Sequence, residues 1–227
     1  MIIFKNVTKL YEPNIVAIDR MSFEITSGEF VILVGKSGAG KTTILKLIRK
    51  EEEPTQGFIL YKNLDYTRLK GSAVQKLRKK IGIVFQEFKL LLDRTVYDNI
   101  KIPLEILGYS NKEIKRKVEE VLRIVDLWNH APILAKFLSG GEKQKVAIAR
   151  ALAVGSETLL ADEPTGNLDP ISAREIVEIL KRINEDGITI VLATHHKDIV
   201  DYLNKRVITL QTGRIIKDEN PGKYTLI

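Results

Sequence analysis

The sequence predicts an α/β fold in which a helical segment interrupts a strand-rich core. Short β-rich runs alternate with stretches of helical periodicity along most of the chain. Residues 30–34 are apolar at every position, the pattern of a strand covered on both faces. Across residues 95–152, by contrast, the signals are mostly helical.

Taken in order, residues 2–10 and 21–25 read as strands joined by a turn around Pro13 and Asn14, an antiparallel β portion at the start of the chain. The apolar strand at 30–34 breaks at glycine-rich residues 35–40, and residues 41–49 resume with helical spacing. Further strands are expected at 57–61, 81–85, 158–161, 188–193 and 207–210, and a basic helix at 72–80. Ile114, Val118, Val121, Leu122 and Val125 form one apolar stripe on a helix that starts near Ser110. Another helix covers 145–153. There is no internal repeat and no linker long enough to separate independent units, so the 227 residues read as one domain. Its core is residues 1–86 and 154–227, and residues 87–153 form a helical subdomain.

Composition narrows the function classes. With 44% hydrophobic and 29% charged residues the chain is an ordinary globular one. Cysteine is absent, which excludes a disulfide scaffold, a Cys-ligated zinc site and a thiol nucleophile. A cytosolic location is the easier reading. No apolar run approaches the roughly 20 residues a membrane-spanning helix needs. The net charge of +7 is unevenly placed: residues 62–80 hold seven Lys or Arg and one acid. That stretch has aromatic residues only at Tyr66 and, just before it, Tyr61, and no recognition motif, so nucleic acid is not expected as a partner. It reads as a solvated basic helix, or as a face for anionic lipid, where each basic residue contributes about 1 kcal/mol.

Gly35-Lys36-Ser37-Gly38-Ala39-Gly40-Lys41-Thr42 fits G-x-x-x-x-G-K-[ST], between a strand and a helix, with Thr43 following. Glycines let successive backbone N–H groups turn inward around a polyphosphate, and the helix N-terminus adds its positive end. Lys41 would reach the outer phosphates and Thr42 would ligate magnesium. The strand at 158–161 ends in Asp162 and Glu163, which it projects beside that loop. Asp162 would hold Mg2+, and Glu163 would orient or deprotonate a water. A third segment, Ser139-Gly140-Gly141-Glu142, opens a helix with an S-x-x-E capping box and a second anion-ready N-terminus. One chain rarely needs two such ends for one nucleotide.

Leu138 to Glu142, the phosphate loop and the phrase Ala161-Asp162-Glu163-Pro164-Thr165-Gly166-Asn167-Leu168-Asp169 together resemble the ABC-type ATPase subunits, over the whole chain. The resemblance implies a P-loop NTPase core of RecA-like type, ATP and Mg2+ as cofactors, and a head-to-tail homodimer that sandwiches ATP. Carried over, Ser139 and Gly141 contact the γ-phosphate held by a second copy. Gln86 senses magnesium and the membrane partner, His195 is the switch histidine, Asp169 lies at the dimer interface, and Tyr11 stacks on adenine. The wording at residues 84–91 and 94–100 is similar to the cell-division branch of the family, whose integral membrane partner is FtsX. That implies a cytoplasmic subunit held peripherally on the inner face of the membrane. The alternative branch is lipoprotein release or macrolide export. Outside the family, two further readings remain: a nucleic-acid-maintenance ATPase, for which sustained heptads are missing, and a plain nucleotide kinase, which needs no Ser-Gly-Gly-Glu segment. The chain departs from the family wording at His196, usually Asp, and at Lys143 and Lys145, usually Gln and Arg.

Overall fold

The computed structural model describes residues 1–225. Among these residues, two sheets and seven α-helices make up the fold, and the helix α1 (Lys41–Ile48) lies between the sheets. The first sheet is antiparallel, order β2-β1-β4-β5, from β1 (Ile2–Tyr11), β2 (Ile15–Ile25), β4 (Gln56–Tyr61) and β5 (Leu64–Asp65). The second has the order β10-β9-β3-β8-β7-β6. Its strands β6 (Ile81–Phe85), β7 (Thr158–Asp162), β8 (Thr189–Ala193), β3 (Phe30–Val34) and β9 (Arg206–Gln211) are parallel, and β10 (Arg214–Glu219) closes one edge antiparallel to β9.

Strand β3 shows why the second sheet must be covered on both sides. Side chains alternate across a strand, and here both sets are apolar. Phe30, Ile32 and Val34 enter a core shared with the helices, whereas Val31 and Leu33 enter a core shared with α1 and the antiparallel sheet. Strand β8 divides in the same way, Ile190 and Leu192 to one side, Val191 and Ala193 to the other. A run with no polar position can only be stable at such a depth.

The helical segment comprises α3 (Val96–Ile106), α4 (Asn111–Ile124) and α5 (Gly140–Ala153). Each begins with a reciprocal capping box, Thr95 with Asp98, Ser110 with Glu113 and Ser139 with Glu142. Ile114, Val118, Val121 and Leu122 are buried as their spacing demands, and they join the core that contains β3 and β6 side chains. Asn99, 1% exposed, anchors the chain ahead of α3: its Oδ1 accepts from Leu91 N at 2.8 Å and its Nδ2 donates to Leu91 O at 3.0 Å.

Strand β2 starts at Ile15 rather than near residue 21, and β5 and β10 lie outside the expected elements. Arg214–Glu219 carries charge at four of six positions, so its pairing comes from β9 rather than from its own pattern. Arg206 fastens that edge, with its guanidinium on Asp218 (2.6 and 2.7 Å) and on Glu29 (2.9 Å). Helices α6 (Pro170–Glu185) and α7 (Lys197–Leu203) complete the second cover of the sheet.

The basic helix forms as expected, α2 (Ser72–Lys80). Much of its surplus charge is met elsewhere. Lys62 and Lys80 both reach Glu157, at 2.6 and 3.5 Å, Arg68 pairs with Asp65, and Arg78 donates to the Lys50 carbonyl at 2.8 Å. Lys70, Lys76 and Lys79 have no acidic partner among the described residues. Within those residues, no helix is long and apolar enough to cross a membrane.

Candidate functional site

A cleft of about 680 Å³ opens at the carboxyl ends of β3, β6, β7 and β8, where open α/β sheets place their ligands. Gly35 to Thr43 form one wall, and Gln86, Asp162, Glu163, His195 and Tyr224 form the other, with Ile15, Val16 and Ala17 at the mouth. The loop wraps closely enough to require its glycines. A Cβ on Gly35 would lie 2.6 Å from Leu210 O, and one on Gly40 would lie 2.7 Å from Ala17 O with φ at +107°. Gly40 is also the N-cap of α1, so the first free N–H groups of that helix point into the loop.

Lys41, only 8% exposed, folds its side chain back under the loop. Its Nζ donates to Gly35 O at 2.7 Å and sits 3.8 Å from Glu163 Oε1. Asp162 ends β7, and burial pushes its carboxyl above the usual carboxylate range, opposed by a hydrogen bond from Thr42. Next to it the backbone of Glu163 turns into the left-handed region, φ 46°, and its N–H donates to Ala193 O at 2.9 Å. This turn aims the Glu163 carboxylate at β8: Oε1 lies 2.8 Å from His195 Nδ1, and Oε2 accepts from His195 N at 3.3 Å. Gln86 is held from behind. Its Nε2 donates to Asn167 Oδ1 at 3.2 Å, and Asn167 Nδ2 donates to Gln86 O at 3.3 Å. The donors fit Mg2+, since the Thr42 hydroxyl, the Asp162 carboxylate and the Gln86 carboxamide oxygen share one cleft and are all hard oxygens. A dication would also offset the burial that raises Asp162.

Not every expected residue comes to the cleft. Ser139, Gly140, Gly141 and Glu142 lie outside its lining. There, Ser139 Oγ accepts from Glu142 N at 3.3 Å, and Glu142 Oε2 accepts from Ser139 N at 2.8 Å. The bond from the Ser139 N–H, with a second from the Ser139 hydroxyl to the same oxygen at 2.8 Å, holds the Glu142 carboxyl below the usual range. A Cβ on Gly141 would lie 2.8 Å from Ser172 Oγ, so α5 starts hard against α6. Asp169 caps α6, accepting from Ile171 N and Ser172 N, each at 3.0 Å. Tyr11, expected on adenine, does not line the cleft either. Lys9 Nζ covers its ring at 4.9 Å, and the β1–β2 turn brings Ile15 and Val16, 60% and 49% exposed, to the mouth instead.

Residues 18–166 match the family model described as ABC transporter. The chain belongs to the ABC transporter ATPase family. It is 45% identical over 224 residues to the cell division ATP-binding protein FtsE of Bacillus subtilis (99% of this chain, 98% of the relative), and 46% identical over 225 residues to that of Mycobacterium tuberculosis (99% and 98%). Among solved structures it is similar to the dimeric ATP-binding cassette MJ0796 in a post-hydrolysis state bound to ADP and Pi, with TM-score 0.87, 37% identity, and 99% of this chain and 100% of that one covered. This ABC ATPase carries its departures outside the cleft lining. Lys145 Nζ pairs with Glu175 at 2.7 Å, and His196 stacks its ring on His195 at 4.5 Å.

Four contributors to this site have no local signal in the sequence. Tyr224 lines the cleft, with burial and the Glu163 charge pushing its phenol up. Ile15 and Val16 look like ordinary strand residues. Arg150, on α5, donates to Phe88 O at 2.9 Å and Lys89 O at 2.5 Å, and so pins the loop after Gln86, where both residues are left-handed, φ 59° and 51°. A second groove, about 630 Å³, lies behind that loop. Pro103, Ile106, Leu107, Ala151 and Val154 line it, with Arg49, Arg78, Lys79 and Arg150 around them. Replacing Arg150 with Ala removes both side-chain donors that hold the Phe88 and Lys89 carbonyls. Arg150→Ala should make the 87–92 loop markedly more sensitive to limited proteolysis and lower ATP turnover, with the far-UV circular dichroism unchanged.

Proposed function

We propose that this chain binds ATP in the cleft, pairs head to tail with a second copy on doing so, and works on an integral membrane partner of the FtsX kind in bacterial cell division. The carrying observation is the meeting of Lys41, Asp162, Glu163 and His195 in one cleft, with Glu163 Oε1 2.8 Å from His195 Nδ1. Backbone N–H groups of residues 36–43 and the Lys41 ammonium take the phosphates, and Tyr11 takes the base, with Ile15 and Val16 at the cleft beside it. Thr42, Asp162 and Gln86 would hold Mg2+, which supplies charge neutralisation on the phosphates. Glu163 accepts the proton of the attacking water. His195 keeps Nδ1 toward Glu163, which leaves Nε2 for the γ-phosphate.

Pairing follows from where the Ser139 segment stands. A capped helix start with free N–H groups outside its own cleft can meet a phosphate only if another chain brings it. Asp169, beside that helix start, then lies at the junction of the two copies. ATP bridges the copies and ADP lacks the bridging group, so hydrolysis reopens the pair. The groove behind Gln86 supports membrane docking, because Phe85 lines it while the next residue, Gln86, lines the cleft. Its exposed Ile106, 79% accessible, suits an apolar segment of the partner. The near-full-length identity to two FtsE proteins supports the cell-division role and a peripheral position on the cytoplasmic membrane face.

Lys41→Ala should weaken nucleotide binding by about tenfold or more, the worth of one charge-assisted hydrogen bond, as read by nucleotide titration. Glu163→Gln should retain ATP binding, lose about 10²–10⁴-fold in turnover and accumulate a dimer on gel filtration with ATP. Parental turnover in that variant sinks the base assignment. Pull-down from solubilised membranes should recover an FtsX-like integral protein with the parent and lose it with Ile106→Asp. Recovery of a lipoprotein-release or export permease instead would move the chain to that branch.

A further inference from the structure

Two histidines follow β8, and the fold turns both toward one carboxylate. His195 Nδ1 lies 2.8 Å from Glu163 Oε1, and the His195 and His196 rings stack with centroids 4.5 Å apart at 29°. Glu163, His195 and His196 each offer a ligand atom within 4.8 Å of the other two. His196 Nε2 is shielded from solvent and has no hydrogen-bond partner. A shielded ring nitrogen without a partner is costly unless something takes up its proton or lone pair. No other function described above uses His196.

We propose that Glu163, His195 and His196 form a binding site for a transition-metal dication of the zinc class, and that metal bound there arrests ATP hydrolysis. Two imidazoles and one carboxylate are a donor set such ions prefer, with bonds of about 2.0–2.2 Å. Ligand atoms around one ion stand about 3–4 Å apart, so binding needs the stacked rings to reorient until their ring nitrogens converge, a movement open to His195, whose side chain is 57% exposed. Mg2+ is a poor occupant, because it favours oxygen and dehydrates reluctantly. The chemistry thus separates two cations, Mg2+ on the Asp162 side within the cleft and the softer ion beside it, between Glu163, His195 and His196. The opposing charge is Lys41, 3.8 Å from Glu163 Oε1, but its ammonium is tethered to the Gly35 carbonyl at 2.7 Å and occupies the face of the carboxylate toward the loop. The arrest rests on the roles proposed for Glu163 and His195, since a metal would withdraw both from the phosphate.

Cobalt is the direct probe. Co2+ titrated into the full-length protein without nucleotide or Mg2+ should give visible absorption bands that saturate at one equivalent, and Zn2+ should bleach them. His196→Phe keeps the stacked ring and removes the nitrogen. It should bind Co2+ about tenfold or more weakly, since even outer-shell changes cost 10–100-fold. Its Mg-ATP turnover in zinc-free buffer should match the parent, which also shows that it folds. At a buffered free Zn2+ concentration that arrests the parent, His196→Phe should continue to turn over. Absence of one-equivalent Co2+ binding, or equal affinity in the parent, His196→Phe and His195→Ala, overturns the site. If the cobalt bands depend on His196 and persist during parental turnover, the site stands and the roles given to Glu163 and His195 fall.

Discussion

Strand β3 leaves no side chain to solvent, and the cleft depends on that. Phe30, Ile32 and Val34 anchor it to the helical side and Val31 and Leu33 to the α1 side, so the strand is gripped by packing on both faces. The loop that follows inherits this rigidity at its start, and α1, packed between the sheets through Ile44, Leu45, Leu47 and Ile48, supplies it at its end. A phosphate cradle made of backbone N–H groups works only if both ends are held this way, because the donors themselves have no side chains to position them. The close approaches at Gly35 and Gly40 are the local cost of drawing the loop so tight against Leu210 and Ala17.

Within that frame the charges are arranged in sequence. Lys41 leans on Gly35, then lies near Glu163; Glu163 meets His195; Asp162 stands beside Thr42. The parallel register sets this order, since Asp162 pairs with Ala193 and the next residues on the two strands, Glu163 and Thr194, diverge at the same level. The left-handed backbone at Glu163 is strain of the kind found at functional sites, held by the hydrogen bond from its own N–H to Ala193. One strand end thereby directs two adjacent carboxylates to different work.

The phosphate loop, the paired acids and the capped Ser139 helix were legible because each is a local pattern whose physics acts over a few residues. So were the all-apolar strands and the stripe on α4. Other features were not, for stated reasons. The Ile15–Val16 wall arises from where a hairpin bends. Strand β10 carries charges that read as loop and becomes a strand because β9 offers an edge and Arg206 offers a counter-ion. The surplus charge of residues 62–80 is likewise partly answered by Glu157, far along the chain.

By itself the sequence determined a glycine-rich loop suited to a polyphosphate between a strand and a helix, acids at a strand end, and a second anion-ready helix start. Those are properties of short windows, governed by backbone conformation and capping. Only the tertiary structure decided which groups face one another: Tyr224 at the cleft, Arg150 on the loop after Gln86, the Ser139 segment outside its own cleft, and two histidines converging on Glu163. The reason is sequence separation. Pairings such as Glu163 with His195, 32 residues apart, exist only after β7 and β8 have lain side by side, and no local pattern encodes that register.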